Sequence, residues 1–252
     1  MNGNQNQTHP TLLPAYTPIH AARLLSTATG GTFVVTLNAE MIARALTSPP
    51  FAALIRAADY WVCDGIGAAV LLRKGAPGAS LSRIAGIDLG FATLQLAARR
   101  GESVFLLGGK PGVAHRAAKR LQMAIPGLQI AGCAHGYFTE ADLPALRGTI
   151  RCSNASIVIV CLGSPRQEEW ILRCRRYLPA VRLFLPLGGS LDVWAGQINR
   201  APLIWQRCGV EWLWRLLHQP SRIGRLTTAI TDLWKNKTPK NRTITDILFQ
   251  IE

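Results

Sequence analysis

Asp64-Gly65 directly follows the apolar run Tyr60–Cys63. A carboxylate at such a strand end is well placed to take the proton of a hydroxyl as that hydroxyl attacks an electrophile. Asp-Gly is also a common reversing turn, and the residues by themselves leave the two readings level. The run Gly108-Gly109-Lys110-Pro111-Gly112 lets backbone amides come close to a phosphate ahead of a helix. Its spacing is neither G-x-G-x-x-G nor a Walker A loop, which leaves dinucleotide-dependent oxidoreduction and NTP hydrolysis without support. Gly163-Ser164-Pro165-Arg166-Gln167-Glu168 repeats the arrangement and puts Arg166 and Gln167 in a first helical turn beside an anion. The alternative there is a helix cap with solvated charges.

Other chemistries lack their residues. The sequence has no D-x-D, no H-E-x-x-H, no paired Cys/His spacing and no G-x-S-x-G, so neither a metal site nor a Ser-His-Asp triad is expected. Its six cysteines are scattered, several within apolar runs such as Ile157–Cys161. That pattern fits buried thiols in a reducing compartment.

The elements that must position these residues alternate. Apolar, β-branched runs at Thr32–Leu37, Tyr60–Cys63, Ser103–Leu107, Leu128–Cys133, Ser156–Leu162 and Val181–Leu187 read as strands. Helical spacing covers Ala39–Leu46, Ile66–Arg73, Ile87–Arg100, Val113–Ala124 and Glu140–Ile150, and Pro165 starts a further helix. Alternation of this kind predicts an α/β fold, a Rossmann-like, mostly parallel sheet flanked by helices. Ligands of such sheets bind beyond the carboxyl ends of the strands. The turns to watch are therefore Asn38, Asp64-Gly65, Gly108-Gly109, His135-Gly136-Tyr137, Gly163-Ser164 and Gly188-Gly189-Ser190.

With 252 residues, 48% of them hydrophobic, and a mean hydropathy of +0.16, the chain has apolar surface enough for a core and is not of the disordered class. Met1–Pro10 is polar and uncharged and reads as a frayed tail without a secretory signal. No apolar run approaches the ~20 residues of a membrane span. The 28 Lys and Arg outnumber 14 Asp and Glu, a net charge of +14, so the protein is expected to meet something acidic: nucleic acid, anionic lipid or a phosphorylated substrate. Four of the seven tryptophans and eight basic residues fall between Trp205 and Arg242, opposed only by Glu211 and Asp232. Two helical pieces, Leu203–Leu217 and Ser221–Trp234, are expected there. Arginines that grip phosphate and tryptophans that sit at a lipid interface suggest docking on an anionic membrane. Composition alone favours a helical cap with a solvated basic face. The predicted organisation is a lead-in over 1–31, an α/β core over 32–200 and a basic helical appendage over 201–252.

Eight motifs in order resemble the WecG/TagA/CpsF bacterial glycosyltransferases. They are T-L-N-A-E (Thr36–Glu40), A-D-Y-W-V-C-D-G-I-G (Ala58–Gly67), S-R-I-A-G-I-D-L (Ser82–Leu89), F-L-L-G-G-K-P-G (Phe105–Gly112), H-G-Y-F (His135–Phe138), L-G-S-P-R-Q-E (Leu162–Glu168), G-G-S-L-D-V-W-A-G (Gly188–Gly196) and the long run Arg200–Arg225. The resemblance implies transfer of a sugar, with inversion and without an obligatory metal or other cofactor. The donor is a UDP-sugar, and the acceptor is polyprenyl-diphosphate-linked N-acetylglucosamine at the cytoplasmic membrane face. The last motif is most similar to the branch that transfers N-acetylmannosaminuronic acid for enterobacterial common antigen. N-acetylmannosamine, or another hexose such as glucose, is the donor sugar elsewhere in the family.

By the same resemblance Asp64 is the general base, and Thr36, Asn38, Arg83 and Gln167 line the pocket. Gly108, Gly109, Tyr137, Gly163 and Asp192 complete the expected donor site. Arg215, Arg222 and Arg225 are implied to hold the acceptor diphosphate and close over the site. The sequence departs from the family in a short region before Thr32, where an early sheet element is expected to be missing or irregular. It departs again at Leu191, where relatives carry an aromatic before the Asp. The rivals from other classes are a nucleic-acid-binding protein, for which no motif is present, and a nucleotide-dependent oxidoreductase.

Overall fold

The computed structural model describes residues 10–75, 82–202, 204, 205, 211 and 214, the side chains of 71–75 excepted. Seven strands form one sheet: β1 (Thr11–Leu12), β2 (Thr32–Leu37), β3 (Tyr60–Cys63), β4 (Ser103–Gly108), β5 (Gln129–Ala134), β6 (Ile157–Cys161) and β7 (Leu183–Pro186). Their spatial order is β1-β3-β2-β7-β6-β4-β5, and every pair is parallel. The fold is α/β and Rossmann-like. A parallel sheet covered on both faces needs strands apolar on both sides. Every residue of β2, β6 and β7 is accordingly buried.

The helices are α1 (Pro18–Leu25), α2 (Ala39–Thr47), α3 (Pro49–Arg56), α4 (Ile66–Gly75), α5 (Gly86–Arg99), α6 (Val113–Ala124), α7 (Leu143–Cys152), α8 (Arg166–Cys174) and α9 (Ser190–Trp194). They divide between the faces. Buried residues of α2, α3, α4, α7 and α8 pack with Phe33, Phe105 and Phe184. Those of α1, α5, α6 and α9 pack with Val34, Leu106 and Leu185 on the other side.

The six predicted strands and the predicted helices from Ala39 to the one started at Pro165 are present, most ends within two residues. The helices expected over Leu203–Leu217 and Ser221–Trp234 lie outside the described residues, apart from the few described positions there. The span expected as one helix from Glu140 begins instead as a 3-10 turn, Glu140–Asp142, before α7. Three helices and one strand lie outside the expected pattern. α1 is started by Thr17, whose hydroxyl accepts from the His20 amide, and by Pro18. Its Ala21, Ala22 and Leu25 join the α5 and α6 core. β1 is short but pairs with Tyr60 and Trp61 of β3, so an early sheet element is present. α3 follows α2 directly, with Ser48 ending one helix and capping the next ahead of Pro49. α9 is a single short helix of five residues.

Cys63, Cys161 and Cys174 are buried as expected, whereas Cys152 is exposed. Burial pushes the Cys161 thiol up to about 12 and that of Cys133 to about 11, which disfavours the thiolate at both.

The carboxyl ends of β4 and β6 meet closely enough to require glycine. Gly108 has φ +139°, and a Cβ there would lie 2.1 Å from the Cys161 carbonyl oxygen. Gly65 also has a positive φ, +91°, but open space around it. Gly108→Ala is therefore expected to cost about 3 kcal/mol or more, and Gly65→Ala only the strain of about 1–3 kcal/mol. Urea denaturation of the two variants measures the difference, and equal losses would show that the backbone contact is not limiting.

Candidate active site

Because all strands are parallel, the turns after β2 to β7 emerge along one edge. On one side of that edge stands the half-buried Asp64, whose amide donates to Leu37 O at 2.8 Å. The segment before α5 folds back onto β3, with the Ile84 amide donating to Cys63 O at 2.8 Å. This brings Gly86, the first residue of α5, against both Asp64 and Thr36. A Cβ on Gly86 would fall 3.4 Å from Asp64 Oδ2 and 3.3 Å from Thr36 Cγ2. The carboxylate thus lies beside the amino end of a 14-residue helix, an end that favours negative charge.

Thr36 is buried and its hydroxyl donates to Pro186 O at 3.3 Å, linking the ends of β2 and β7. Asn38 caps α2, its Oδ1 accepting from the Met41 amide at 2.9 Å, and its side chain is half-buried at the end of β2. Arg83 is half-buried in the same folded-back segment.

Across the edge the turns after β4 and β5 are close-packed glycine backbone. The Gly136 amide donates to Gly109 O at 2.8 Å, and a Cβ on Gly136 would lie 2.8 Å from Leu162 Cδ2 and 3.4 Å from Gly108 Cα. The Arg166 guanidinium donates to Gly136 O at 3.2 Å. Gly108 and Gly136 are buried and Gly109 is half-buried. Tyr137, next to Gly136, is 64% exposed. Gly163 leads into α8, where the Gln167 amide donates to Gly163 O at 3.0 Å. Asp192 is half-buried in the first turn of α9.

Gln167 is buried, and its amide is spent within the protein. Its Oε1 accepts from the Gly188 amide at 3.0 Å and its Nε2 donates to Glu168 Oε1 at 2.8 Å, so it braces the turn after β7. Asp64, Thr36, Asn38 and Arg83 come together around the ends of β2 and β3. Gly108, Gly109 and Tyr137 gather across the edge. Arg215, Arg222 and Arg225 lie outside the described residues. Among the described residues no group of three or more His, Cys, Asp or Glu side chains is arranged to hold a metal ion.

Residue-type reasoning passed over Gly86, whose only signal was a glycine opening an otherwise strong helix. It passed over Glu168 too, since an acidic residue in a first helical turn normally faces solvent. Glu168 instead has no exposed surface. Its Oε2 and the Ser164 hydroxyl are buried without hydrogen-bond partners, the two groups approaching each other outside hydrogen-bond geometry. Burial pushes the Glu168 carboxyl above its ordinary value, against the hydrogen bond from Gln167.

A carboxyl whose folded pKa is raised holds more protons in the native than in the unfolded state. It therefore costs stability as pH climbs from the ordinary value of 4.5 through the raised one, by at most about 1.4 kcal/mol per pH unit. Glu168→Gln keeps the acceptor for Gln167 and removes the titration. Its thermal midpoint is expected to gain on that of the wild type as pH rises above 4.5. Parallel midpoint curves across that range would show that Glu168 does not titrate in the native state.

An alternating α/β chain with a carboxylate set against a helix start has its candidate residues at the carboxyl edge of a parallel sheet, where such sheets bind ligands. The family model described as "Glycosyl transferase WecG/TagA/CpsF family" matches residues 15–241, a span that takes in the whole described sheet except β1. The chain belongs to the WecG/TagA/CpsF family and is a glycosyltransferase of bacterial polysaccharide biosynthesis.

Proposed function

We propose that the protein is an inverting glycosyltransferase that takes a sugar from a UDP-sugar and places it on polyprenyl-diphosphate-linked N-acetylglucosamine. The sugar is N-acetylmannosaminuronic acid or N-acetylmannosamine, and the product is a lipid-linked intermediate of a surface polysaccharide such as enterobacterial common antigen. The observation that carries this reading is the Asp64 carboxylate, held against Thr36 and the start of α5 at the carboxyl edge of the parallel sheet.

In the proposed step the acceptor hydroxyl attacks the anomeric carbon from the face opposite UDP. The new C–O bond forms as the bond from the anomeric carbon to the β-phosphate oxygen breaks. Asp64 takes the hydroxyl proton, UDP leaves with the bonding pair, and a single displacement inverts the centre. Arg83, with Arg215, Arg222 and Arg225 from the appendage over 201–252, meets the charge that grows on UDP, the role preorganised cations play in transfer sites. The diphosphate sits near the glycine turns at Gly108-Gly109 or Gly163, and Tyr137 and Asp192 are further substrate-binding residues. Gln167 acts through the turn after β7.

Among the described residues no helix is long and apolar enough to cross a membrane. The tryptophans and basic residues beyond Ala201 are proposed to hold the enzyme on the anionic inner leaflet as a peripheral protein. Truncation after Pro202 should then abolish lipid-acceptor transfer while the circular dichroism of the sheet persists.

A well-placed base contributes roughly 10²- to 10⁴-fold to such a step. Asp64→Asn is therefore expected to lower turnover by that range while UDP affinity, measured by calorimetry, stays within twofold of wild type. The substrate assignment is tested by offering purified protein a panel of UDP-sugars with short-chain polyprenyl-diphosphate N-acetylglucosamine and reading products by mass spectrometry. Product from UDP-N-acetylmannosaminuronic acid or UDP-N-acetylmannosamine supports it, and product only from another hexose overturns the donor. Loss of activity with chelator, restored by added metal, would overturn the arginine role at the leaving group.

A further inference from the structure

Arg200 lies just beyond α9, yet its guanidinium reaches back to the first turn of α5. Nη1 donates to Asp88 Oδ1 at 2.6 Å and Nη2 to Asp88 Oδ2 at 2.7 Å, the paired geometry that makes arginine–carboxylate contacts strong and directional. The same guanidinium meets Glu211 along its adjoining edge, more loosely, with Nε 3.4 Å from Oε1 and Nη2, shared with Asp88, 3.5 Å from Oε2. Arg200 and Glu211 are mostly withdrawn from solvent, at 26% and 16% exposure, and Asp88 is at 40%. Burial opposes the charge on Arg200, but the two carboxylates outweigh it and hold the guanidinium above its ordinary pKa. Close by in the chain, the rings of Trp205 and Trp214 meet edge to face at 5.6 Å.

Asp88 is two residues past Gly86, which packs against Asp64. Arg215 follows Trp214 directly in sequence. The chain leading to the appendage is thus tied to the same helix end that backs the proposed base. We infer that Asp88, Arg200 and Glu211 form an ionic clasp that fixes the root of the C-terminal segment at the mouth of the site. Its members are positioning residues for the lipid acceptor.

The clasp has a built-in asymmetry. One guanidinium stands between two carboxylates, so removing it leaves two like charges facing each other, whereas removing either carboxylate leaves one ion pair. A lysine cannot replace the arginine, because a single ammonium cannot bind Asp88 through two parallel donors and still meet Glu211.

The test uses the full chain. Hydrogen–deuterium exchange of amides 201–214 is compared in wild type, Asp88→Asn, Asp88→Glu, Arg200→Lys and Glu211→Gln. The expected result is exchange at least tenfold faster in 201–214 for Asp88→Asn and Arg200→Lys, with a smaller rise for Glu211→Gln. Asp88→Glu should recover most of the protection, and amides of β4 and β6 should be unchanged. Wild-type exchange in 201–214 for both Asp88→Asn and Arg200→Lys overturns the clasp. So does an equal rise across β4 and β6, and so does Asp88→Glu behaving like Asp88→Asn.

The acceptor role rests on the function proposed above. It predicts that Asp88→Asn raises KM for short-chain polyprenyl-diphosphate N-acetylglucosamine about tenfold and leaves KM for the UDP-sugar unchanged. Equal changes in both KM values overturn that role. If the wild type neither binds UDP nor transfers a sugar, the proposed function fails, and the exchange measurement still decides the clasp.

Discussion

Parallel pairing sends every strand-to-helix turn out of one edge of the sheet, and the placement of the site follows from that constraint. Along the edge, neighbouring turns either stay together or part. β4 and β6 are adjacent and in register from Val104 and Ile157 to Gly108 and Cys161, but α6 after β4 joins one face and α8 after β6 the other. The two turns therefore leave on opposite faces, the arrangement at which open α/β sheets place their ligand sites. The same parting occurs where β2 meets β7, where β7 meets β6 and where β4 meets β5, since α9 and α6 take one face and α2, α8 and α7 the other. Asp64 follows β3 and Gly108 ends β4, with β2, β7 and β6 between them.

The turns along the edge differ in how they can hold charge. Those after β4 and β5 are glycine backbone, the kind of turn on which the proposed diphosphate would meet amides. The turn after β3 carries a carboxylate beside a helix start. The chain carries twice as many basic as acidic groups, and several of its acids are used as ties. Asp59 meets Arg175, Glu102 meets Arg100 and Arg182, Glu140 meets Arg173, and Asp88 and Glu211 share Arg200. A general surplus of arginine suits the anionic donor and acceptor proposed above, while these acids are spent as ties within the fold.

Strand placement was legible because strands buried on both faces must be continuous apolar runs, and Thr32–Leu37 and Tyr60–Cys63 emerge with the predicted bounds. What escaped has physical reasons. β1 has two residues and α9 five, too few for any period to show. α3 opens on Pro49-Pro50, a pair that reads as a break, although proline in a first helical turn costs nothing. The separate readings of Asp64 and the Gly108 loop were available from residue type and strand position. The contact of Gly86 with Asp64, the burial of Glu168 and the clasp at Arg200 were not. Each depends on a long-range approach, such as the 112-residue separation between Asp88 and Arg200, that no local pattern encodes.

The open edge itself raises a physical demand that links the base to the clasp. A carboxylate and a departing diphosphate in contact with bulk water interact through a high dielectric, where opposite charges 4 Å apart gain only about 1 kcal/mol. Excluding water strengthens every charge contact in the site at once. In the proposed function the segment beyond Ala201 supplies that exclusion of water. A cover tied to the sheet at its root searches a small volume and returns to the same place each time, which lowers the entropy lost on closing. Placing that tie on α5, whose first residue also backs Asp64, makes the position of the cover and the position of the base consequences of one helix.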